Sequence, residues 1–375
     1  MLDDKARDES KINPFKVSPL FLEKIWGGQA LRDTLNKNIL GGTKIGESWE
    51  VSGEEPYQSI ISDGPHEGKR LGDFCRTYGG DFLGSGNDND QFPLLYKFID
   101  ANDKLSVQVH PDDFQAKEYG WGTRGKTECW YIVNAAPGAT VIAGLKKSIS
   151  RDEMLDAINN KTFRSMLNEE PIAPGDILFI PAGTIHAIMS HTLIYEVQES
   201  SDITMRVYDW DRLDDSGKPR MLHIEDAVKV TDTQYRGSYK IKPVKLTYQS
   251  YIHSYRVACK FFSVEQYSIK NPVTITLPVK KSFSVLTTVK GRVTLFGAAK
   301  NSITISNGES VLIPAMYDNC LISGCEESEI LLSYVPDLAK EVIEPLTKRN
   351  VPIPDIIALG GVVGERNDVL AVMRK

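Results

Sequence analysis

The sequence predicts a mainly β fold, built from β-barrels with helical insertions. Residues 105–113 alternate apolar and polar side chains, as a strand with two different faces does. Residues 175–186 combine a short apolar run with Gly175, Pro181 and Gly183, a pattern typical of two strands joined by a tight turn. Helical patterns are short and lie between such strand-like segments.

The other elements follow from local patterns along the chain. Residues 14–28 predict an opening strand and turn. Three segments show the helical spacing of apolar residues: 70–84, 150–160 and 222–231. In the second of these, Ser150 precedes Glu153 by three residues, which is a capping-box pattern. We expect this helix to cover the barrel with its apolar side.

The turn before His186 places this imidazole at the mouth of the predicted barrel, because His186 is the first polar side chain of the returning strand. An imidazole in that position could bind a metal ion. The alternative is an ordinary β-turn followed by a core histidine whose polar atoms are satisfied by the protein. Two upstream strands favour the metal site.

These two strands carry further side chains that could bind a metal. Alternation places Gln108 and His110 on one face of the first strand, which is costly inside a barrel unless something binds these groups. The second strand presents Glu128. With His186 they supply two imidazoles, one carboxylate and one amide oxygen. This set suits one divalent ion, Zn²⁺ or a similar first-row metal, and leaves room for water or substrate.

The composition excludes several classes of protein. The chain has 375 residues and a formal net charge of −6, so it lacks the basic footprint of a protein that binds nucleic acid or an anionic membrane. No run approaches the ~20 apolar residues of a membrane helix, and the charged N-terminus does not resemble a secretory signal. The five cysteines are scattered and odd in number, which favours free thiols in a reducing cytosol. We expect a cytoplasmic protein, either a monomer or a homo-oligomer.

The second half repeats the first imperfectly. Residues 308–319 keep the glycine and proline spacing of residues 175–186, but Met316 replaces the turn glycine and Asn319 replaces the histidine. A match this short is weak by itself. It suggests a second barrel without the metal-binding residues.

We therefore expect two domains and a tail: a metal-binding domain with helical insertions, a second β domain and an extension of unknown role, at 1–240, 241–337 and 338–375. Within the tail, residues 351–354 contain two prolines and should be extended. Residues 359–364 are rich in glycine and should form a loop.

Three motifs resemble those of type I mannose-6-phosphate isomerases, particularly the shorter bacterial form: residues 108–113, 125–131 and 180–186. Supporting segments occur in the order of that family: 45–51, 93–98 and 196–209. The resemblance covers roughly residues 14–335. It implies the cupin superfamily, with two jelly-roll β-barrels of which the second is degenerate. Gln108 stands where a generic cupin has the first His of His-x-His, and the isomerases share this departure.

The resemblance implies interconversion of mannose 6-phosphate and fructose 6-phosphate. This aldose–ketose isomerisation moves a proton between C2 and C1 through a cis-enediol(ate), and a divalent cation can polarise the carbonyl and stabilise the negative charge. It also implies that Glu196 and Arg206 line the active cleft, with Arg206 near the reacting oxygens. The base stays open between Glu196, Lys126 and a metal-bound water, because Glu128 is a poor base if it binds the metal.

Lys97 and Ser106 match family positions thought to contact the 6-phosphate of this small-molecule substrate. By alternation Ser106 also shares a face with the amide and imidazole proposed as ligands. The alternative for Lys97 is a solvated surface lysine, and for Glu196 and Arg206 it is an ordinary salt bridge.

Two other functions stay open. One is a metal cupin of another reaction type, such as an oxygenase, and the other is a sugar-phosphate-binding cupin without turnover. The presence of Glu196 and Arg206 favours the isomerase. Among the other histidines, we expect His191 to face away from the site and the remaining three to lie at the surface: His66, His223 and His253.

Overall fold

The computed structural model describes residues 12–85, 91–213, 217–297, 302–318, 320–361 and 366–375. Strands dominate this part of the chain, which confirms the mainly β prediction. No helix in the described ranges is long and apolar enough to cross a membrane. The charged N-terminal segment and Asn319 lie outside the described residues.

The first half contains two large sheets that face each other and a small two-stranded sheet. Its strands are β1 (Val17–Ser18), β2 (Leu20–Gly28), β3 (Ile45–Val51), β4 (Ile60–Ile61), β5 (Leu94–Ala101), β6 (Val107–Val109), β7 (Glu128–Ala135), β8 (Thr140–Leu145), β9 (Leu167–Pro171), β10 (Ile177–Ile180), β11 (His186–Ile188), β12 (Thr192–Glu199) and β13 (Met205–Tyr208). One sheet has the order β10-β7-β12-β5-β3-β2, and the other has the order β13-β6-β11-β8-β9. β1 pairs only with β4 within the described chain.

The second half repeats this arrangement with a six-stranded and a four-stranded sheet. Its strands are β14 (Val244–Thr247), β15 (Tyr251–Ala258), β16 (Ser263–Ile269), β17 (Val273–Thr276), β18 (Ser284–Lys290), β19 (Arg292–Phe296), β20 (Ser302–Ser306), β21 (Ser310–Ile313), β22 (Leu321–Gly324) and β23 (Ser328–Tyr334). The sheet orders are β14-β15-β16-β23-β18-β21 and β17-β22-β19-β20. The last strand of the first half, β13, ends before the boundary that we predict near residue 240, and the first strand of the second half, β14, begins after it.

Helices occupy the insertions and the tail. They are α1 (Ala30–Asp33), α2 (Leu71–Leu83), α3 (Asp113–Glu118), α4 (Arg151–Asn159), α5 (Ile224–Val230), α6 (Glu344–Lys348), α7 (Ile353–Ala358) and α8 (Asp368–Met373), with 3₁₀ turns at Gly64–His66 and Phe163–Met166 and a π-helical turn at Leu338–Ile343. The three helices predicted from spacing are confirmed as α2, α4 and α5. At α4 both hydrogen bonds of the predicted capping box form, between Ser150 and Glu153.

The sheets stack as layers, with the predicted site between the first two. Apolar side chains fill part of the space between these two sheets, among them Ile99, Trp130 and Ile188. The outer face of the five-stranded sheet packs against α4 and α5. A larger core joins the back of the six-stranded sheet to the second half, with Tyr131 on one side and Val264 on the other.

The tail is more helical than its prolines suggested. The prediction of an extended segment over 351–354 is wrong for its second part, because Ile353 and Pro354 begin α7. Proline suits the first turn of a helix, where its fixed φ fits and its missing N–H has no intrahelical partner to lose. Pro352 keeps the extended conformation, with ψ 134°. Of the predicted loop at 359–364, the described residues 359–361 are not helical.

Candidate active site and metal centre

Strand pairing aligns predicted site residues across the inner face of the six-stranded sheet. Lys97 of β5 lies beside Glu196 of β12, and Glu196 lies beside Trp130 of β7. Glu128 is two residues from Trp130 on the same strand and therefore shares its face. The residues of this row are buried, with Lys97 and Glu196 each 3% exposed.

A second row lies on the five-stranded sheet. His186 of β11 is paired with Gln108 of β6, and Gln108 is paired with Arg206 of β13. His110 follows the last residue of β6. The neighbouring residues Val107 and Val109 are fully buried in the core on the other side of this sheet. The alternation in residues 105–113 thus separates a polar face from an apolar one.

Three potential ligands converge between the two rows. Nε2 of His186 lies 3.3 Å from Oε1 of Glu128, and Nε2 of His110 lies 3.6 Å from Oε2 of the same carboxylate. The ligand atoms of the three residues all lie within 4.8 Å of one another. This geometry requires a sharp turn before His186. Gly183 supplies it with φ +84°, a backbone conformation that favours glycine.

Backbone carbonyls fix both imidazoles in one tautomer. Nδ1 of His110 donates to the carbonyl of Ile203 at 2.7 Å, and Nδ1 of His186 donates to the carbonyl of Thr184 at 2.8 Å. A carbonyl can only accept, so Nδ1 carries the proton and the Nε2 lone pair points toward Glu128. Burial lowers the pKa of both rings, that of His186 to about 4, which keeps them neutral as metal ligands must be.

The carboxylate of Glu128 is the second indication of a cation site. Among the described residues, its buried Oε1 has no hydrogen-bond donor. A buried carboxylate oxygen without a partner is costly. Two neutral imidazoles with lone pairs toward one carboxylate make a donor set that fits a divalent first-row metal, so the residues present suit the ion implied by the sequence.

Gln108 stands next to this group of three. Its Nε2 lies 3.3 Å from Nε2 of His186, and its Oε1 accepts a hydrogen bond from Oγ of Ser106 at 3.3 Å. Rotation of the amide by 180° would exchange these two atoms and turn Oε1 toward the imidazole lone pairs. Gln108 can therefore supply a fourth ligand, with an oxygen atom, from the more exposed side of the site.

Lys126 provides a buried positive charge beside the three ligands. Its Nζ lies 2.9 Å from Oε2 of Glu128 and 3.4 Å from Nε2 of His110. Burial alone would lower the pKa of Lys126, but the charges of Glu128 and Glu196 outweigh burial and raise it. The side chain is therefore an ammonium at neutral pH.

Glu196 has the opposite character. Its Oε2 accepts a hydrogen bond from Nε1 of Trp130 at 3.0 Å, whereas its buried Oε1 lacks a hydrogen-bond donor in the described chain. Burial and the charge of Glu128 raise the pKa of Glu196, against the opposing effect of Lys126 and Lys97. A carboxylate with a raised pKa is a stronger base than an ordinary glutamate, and its Oε1 has no hydrogen bond to break before it accepts a proton.

Lys97 is a buried lysine and not the solvated surface residue of the alternative. Its Nζ lies 4.0 Å from Oε1 of Glu196, 3.9 Å from Oδ1 of Asp202 and 4.4 Å from the centroid of a ring of Trp49. Tryptophan and carboxylates together hold the ammonium in place. Trp49 and Trp130 are absent from the predicted site residues, although each lies two positions after a glutamate on the same strand face.

Arg206 lies at the more open end of the site together with Ser106. Its Nε donates to Oγ of Ser106 at 3.3 Å, and its Nη1 donates to the carbonyl of Met221 at 2.9 Å. Among the described ion pairs, Asp209 pairs with Arg212 and Arg220 instead. Arg206 is thus held by neutral acceptors, which leave its charge available to an anionic ligand.

The other histidines divide differently from the prediction. His191 is exposed, and His66 and His223 are half-buried. The prediction of a surface position is wrong for His253, which is buried and whose Nε2 lies 2.6 Å from Oε2 of Glu265. A buried polar cluster in the second half, with no counterpart in the motifs, accounts for this difference.

Comparisons with known proteins identify the family. The sequence profile of the phosphomannose isomerase type I catalytic domain matches residues 15–131, and that of the mannose-6-phosphate isomerase cupin domain matches residues 251–335. A putative mannose-6-phosphate isomerase of Bacillus subtilis is 34% identical over 316 residues, which are 83% of this chain and 96% of that protein. The chain belongs to the type I phosphomannose isomerase family. The family resemblance of the sequence motifs is thereby confirmed.

Further relatives support the same assignment. A mannose-6-phosphate isomerase of Streptococcus mutans is 34% identical over 324 residues, covering 85% of this chain and 98% of that protein. The crystal structure of the mannose 6-phosphate isomerase from Bacillus subtilis superposes with a TM-score of 0.79 at 32% identity, covering 86% of this chain and all of that chain. The cupin fold class is confirmed, and the chain is an enzyme of this isomerase family.

Proposed function

We propose that this enzyme interconverts mannose 6-phosphate and fructose 6-phosphate with one divalent metal ion. Gln108, His110, Glu128 and His186 would hold the ion, and their nitrogen and oxygen donors favour Zn²⁺. The convergence of two imidazole lone pairs on a buried carboxylate within 4.8 Å is the observation that carries this proposal. When bound, the ion would polarise the substrate carbonyl and stabilise the charge of a cis-enediol(ate).

Glu196 is the proposed base that moves the proton between C2 and C1. Its raised pKa makes it a stronger base than an ordinary glutamate, and its Oε1 has no hydrogen-bond donor within the described structure. Lys126 stays an ammonium, so it would donate to a sugar oxygen and not act as the base. Both side chains are buried, which limits exchange of the proton with water.

Arg206, Ser106 and Lys97 would bind the charged parts of the substrate. The planar fork of Arg206 can donate to two oxygens on which charge develops. Lys97 and Ser106 would hold the 6-phosphate, a contact present in both substrate and transition state. All five cysteines, which lie in described segments, are free thiols, and we propose a cytoplasmic location on that basis.

A coupled assay tests this function directly. Purified enzyme is incubated with mannose 6-phosphate. The fructose 6-phosphate formed is measured with two coupling enzymes, glucose-6-phosphate isomerase and glucose-6-phosphate dehydrogenase. We expect activity to fall in proportion to metal content during chelation and to return with one Zn²⁺ per chain. Full activity of verified metal-free protein would refute the metal role. Oxygen consumption by iron-loaded protein, without isomerase activity, would favour an oxygenase.

A further inference from the structure

The C-terminal tail lies beyond the matched family profiles, which end at residue 335. It buries apolar residues in the core between the two halves: Leu338, Val342, Leu346, Ile356, Leu359 and Val369. The amide of Ala258 donates to the carbonyl of Leu359 at 2.9 Å, which fixes the tail against β15. The tail is thus a packed part of the molecule.

Arg366 extends from this tail to the turn that precedes His186. Its Nη1 donates to Oδ2 of Asp232 at 3.0 Å and lies 3.5 Å from the carbonyl of Ala182. The next residue, Asn367, is 2% exposed, caps α8 and donates to the carbonyl of Ile357 at 2.9 Å. A rigid anchor therefore holds the backbone from which the guanidinium projects.

The turn at 181–184 connects the segments of all three converging ligands. The amide of Gly183 donates to the carbonyl of His110 at 2.8 Å, and the carbonyl of Thr184 accepts from Nδ1 of His186 at 2.8 Å. The amide of Ala182 lies 3.4 Å from Oγ1 of Thr127, the residue before Glu128. A shift of this turn would therefore move more than one ligand.

Asp232 joins the turn to the tail. Its amide donates to the carbonyl of Gly183 at 2.7 Å, while its carboxylate accepts from Arg366 and, at 2.9 Å, from Nε of Arg236. A substituent at Gly183 would contact the carbonyl of Val230 at 3.0 Å and Arg366 at 3.6 Å, so the outer side of the turn is closely covered. Arg366 is the part of this cover that the tail supplies.

We propose that Arg366 is a positioning residue, through which the C-terminal tail holds the 181–184 turn and the metal ligands attached to it. This inference rests on the metal centre of the proposed function. The ion pair with Asp232 and the contact with Ala182 restrict the turn from outside, while the ligands restrict it from inside. Loss of Arg366 should therefore loosen the ligand geometry without removing any ligand.

Metal affinity measured by competition with a chromophoric chelator tests the inference on the full-length chain. We expect Arg366→Ala to weaken Zn²⁺ binding about three- to tenfold, less than the 10–100-fold typical of residues bonded directly to a ligand. Arg366→Lys should recover part of the affinity, because it keeps the charge but lacks the fork. Lys348→Ala is the matched control, since Lys348 is a tail residue whose ion pair is with Glu344.

Hydrogen exchange of the metal-free proteins supplies a readout that is independent of activity. The amides of residues 182–186 should exchange faster in Arg366→Ala than in Lys348→Ala, with similar melting temperatures for the two variants. Equal Zn²⁺ affinity and equal exchange in the two variants would overturn the inference. Failure of the unmodified protein to bind Zn²⁺ would overturn the proposed function. The exchange experiment uses metal-free protein, so it would still show whether Arg366 holds the turn.

Discussion

The two halves of the molecule each bury a glutamate and a histidine between sheets, but among the described residues only the first half leaves an oxygen of this glutamate without a hydrogen-bond donor. Oε1 of Glu128 has no donor among the described residues, and the two imidazoles beside it present lone pairs. In the second half, Glu265 accepts from Nε2 of His253 at 2.6 Å and from Nζ of Lys280 at 2.7 Å. The same residue types thus form an open cluster in one half and a closed cluster in the other.

The closed cluster contains its own cation. Nζ of Lys280 also lies 3.9 Å from the ring centroid of Tyr334, whose hydroxyl donates to Glu265. Burial alone would raise the pKa of Glu265, but the charge of Lys280 and the hydrogen bond from His253 outweigh it and lower the pKa. A carboxylate satisfied in this way needs no ligand from outside, which is consistent with a structural role for the second half.

The largest difference between the clusters should appear when each loses its histidine. His186→Ala removes a metal ligand, so we expect loss of the bound metal and of at least about 10²-fold in turnover. His253→Ala should keep one metal per chain and near-normal kcat, at the cost of some stability. Elemental analysis and the coupled assay on both variants check this. A metal-free His253→Ala protein would show that the two clusters are not independent.

Removal of the internal cation should destabilise the second half without affecting catalysis. Lys280→Met leaves the charge of Glu265 buried without its main partner, and we expect a loss of about 3–5 kcal/mol in the free energy of unfolding. Urea denaturation of the metal-free protein measures this effect. Unchanged stability would mean that Lys280 is not needed to compensate the buried charge.

Within the open cluster, two cations should have separable effects. Arg206→Ala should lower kcat on the order of 10²-fold, as loss of an oxyanion donor does, with partial recovery in Arg206→Lys. Lys97→Ala should mainly raise KM, because a phosphate contact is uniform between substrate and transition state.

The same substitution should also move the acidic limb of the pH profile of kcat to higher pH, since Lys97 lowers the pKa of Glu196. Steady-state kinetics decide, and an unchanged kcat for Arg206→Ala would remove that residue from the mechanism.

The open cluster could be predicted from the sequence because its residues lie on short motifs with a strict period. Alternation alone places Gln108 and His110 on the opposite face from the neighbouring valines, and the glycine turn predicts the position of His186. The capping box of α4 is equally local. Such patterns involve only a few consecutive residues, so they can be recognised without knowledge of the tertiary structure.

The closed cluster could not be predicted, because it depends on contacts between distant strands. Residues 251–258 mix aromatic, polar and charged side chains, which predicts a surface position for His253. In the structure, β16 pairs with β15 and places Glu265 next to His253. The contact of Arg366 with Asp232 spans 134 positions and has no local pattern. Long-range charge pairing of this kind is visible only in the folded chain.

The smallest effect should come from removing both charges of the closed cluster together. Glu265→Gln with Lys280→Met removes both members of this buried ion pair, so we expect a stability at pH 7 within about 1–2 kcal/mol of the unmodified protein. The acid response should differ more. The folded-state pKa of Glu265 lies below its ordinary value, so its contribution is present above pH ~5 and is lost as pH falls through and below the ordinary pKa of about 4.3. As the pH falls from about 5 to about 3, the free energy of unfolding of the double variant should therefore decrease less than that of the unmodified protein. Equal acid slopes in urea titrations would show that Glu265 does not carry the acid sensitivity of the second half.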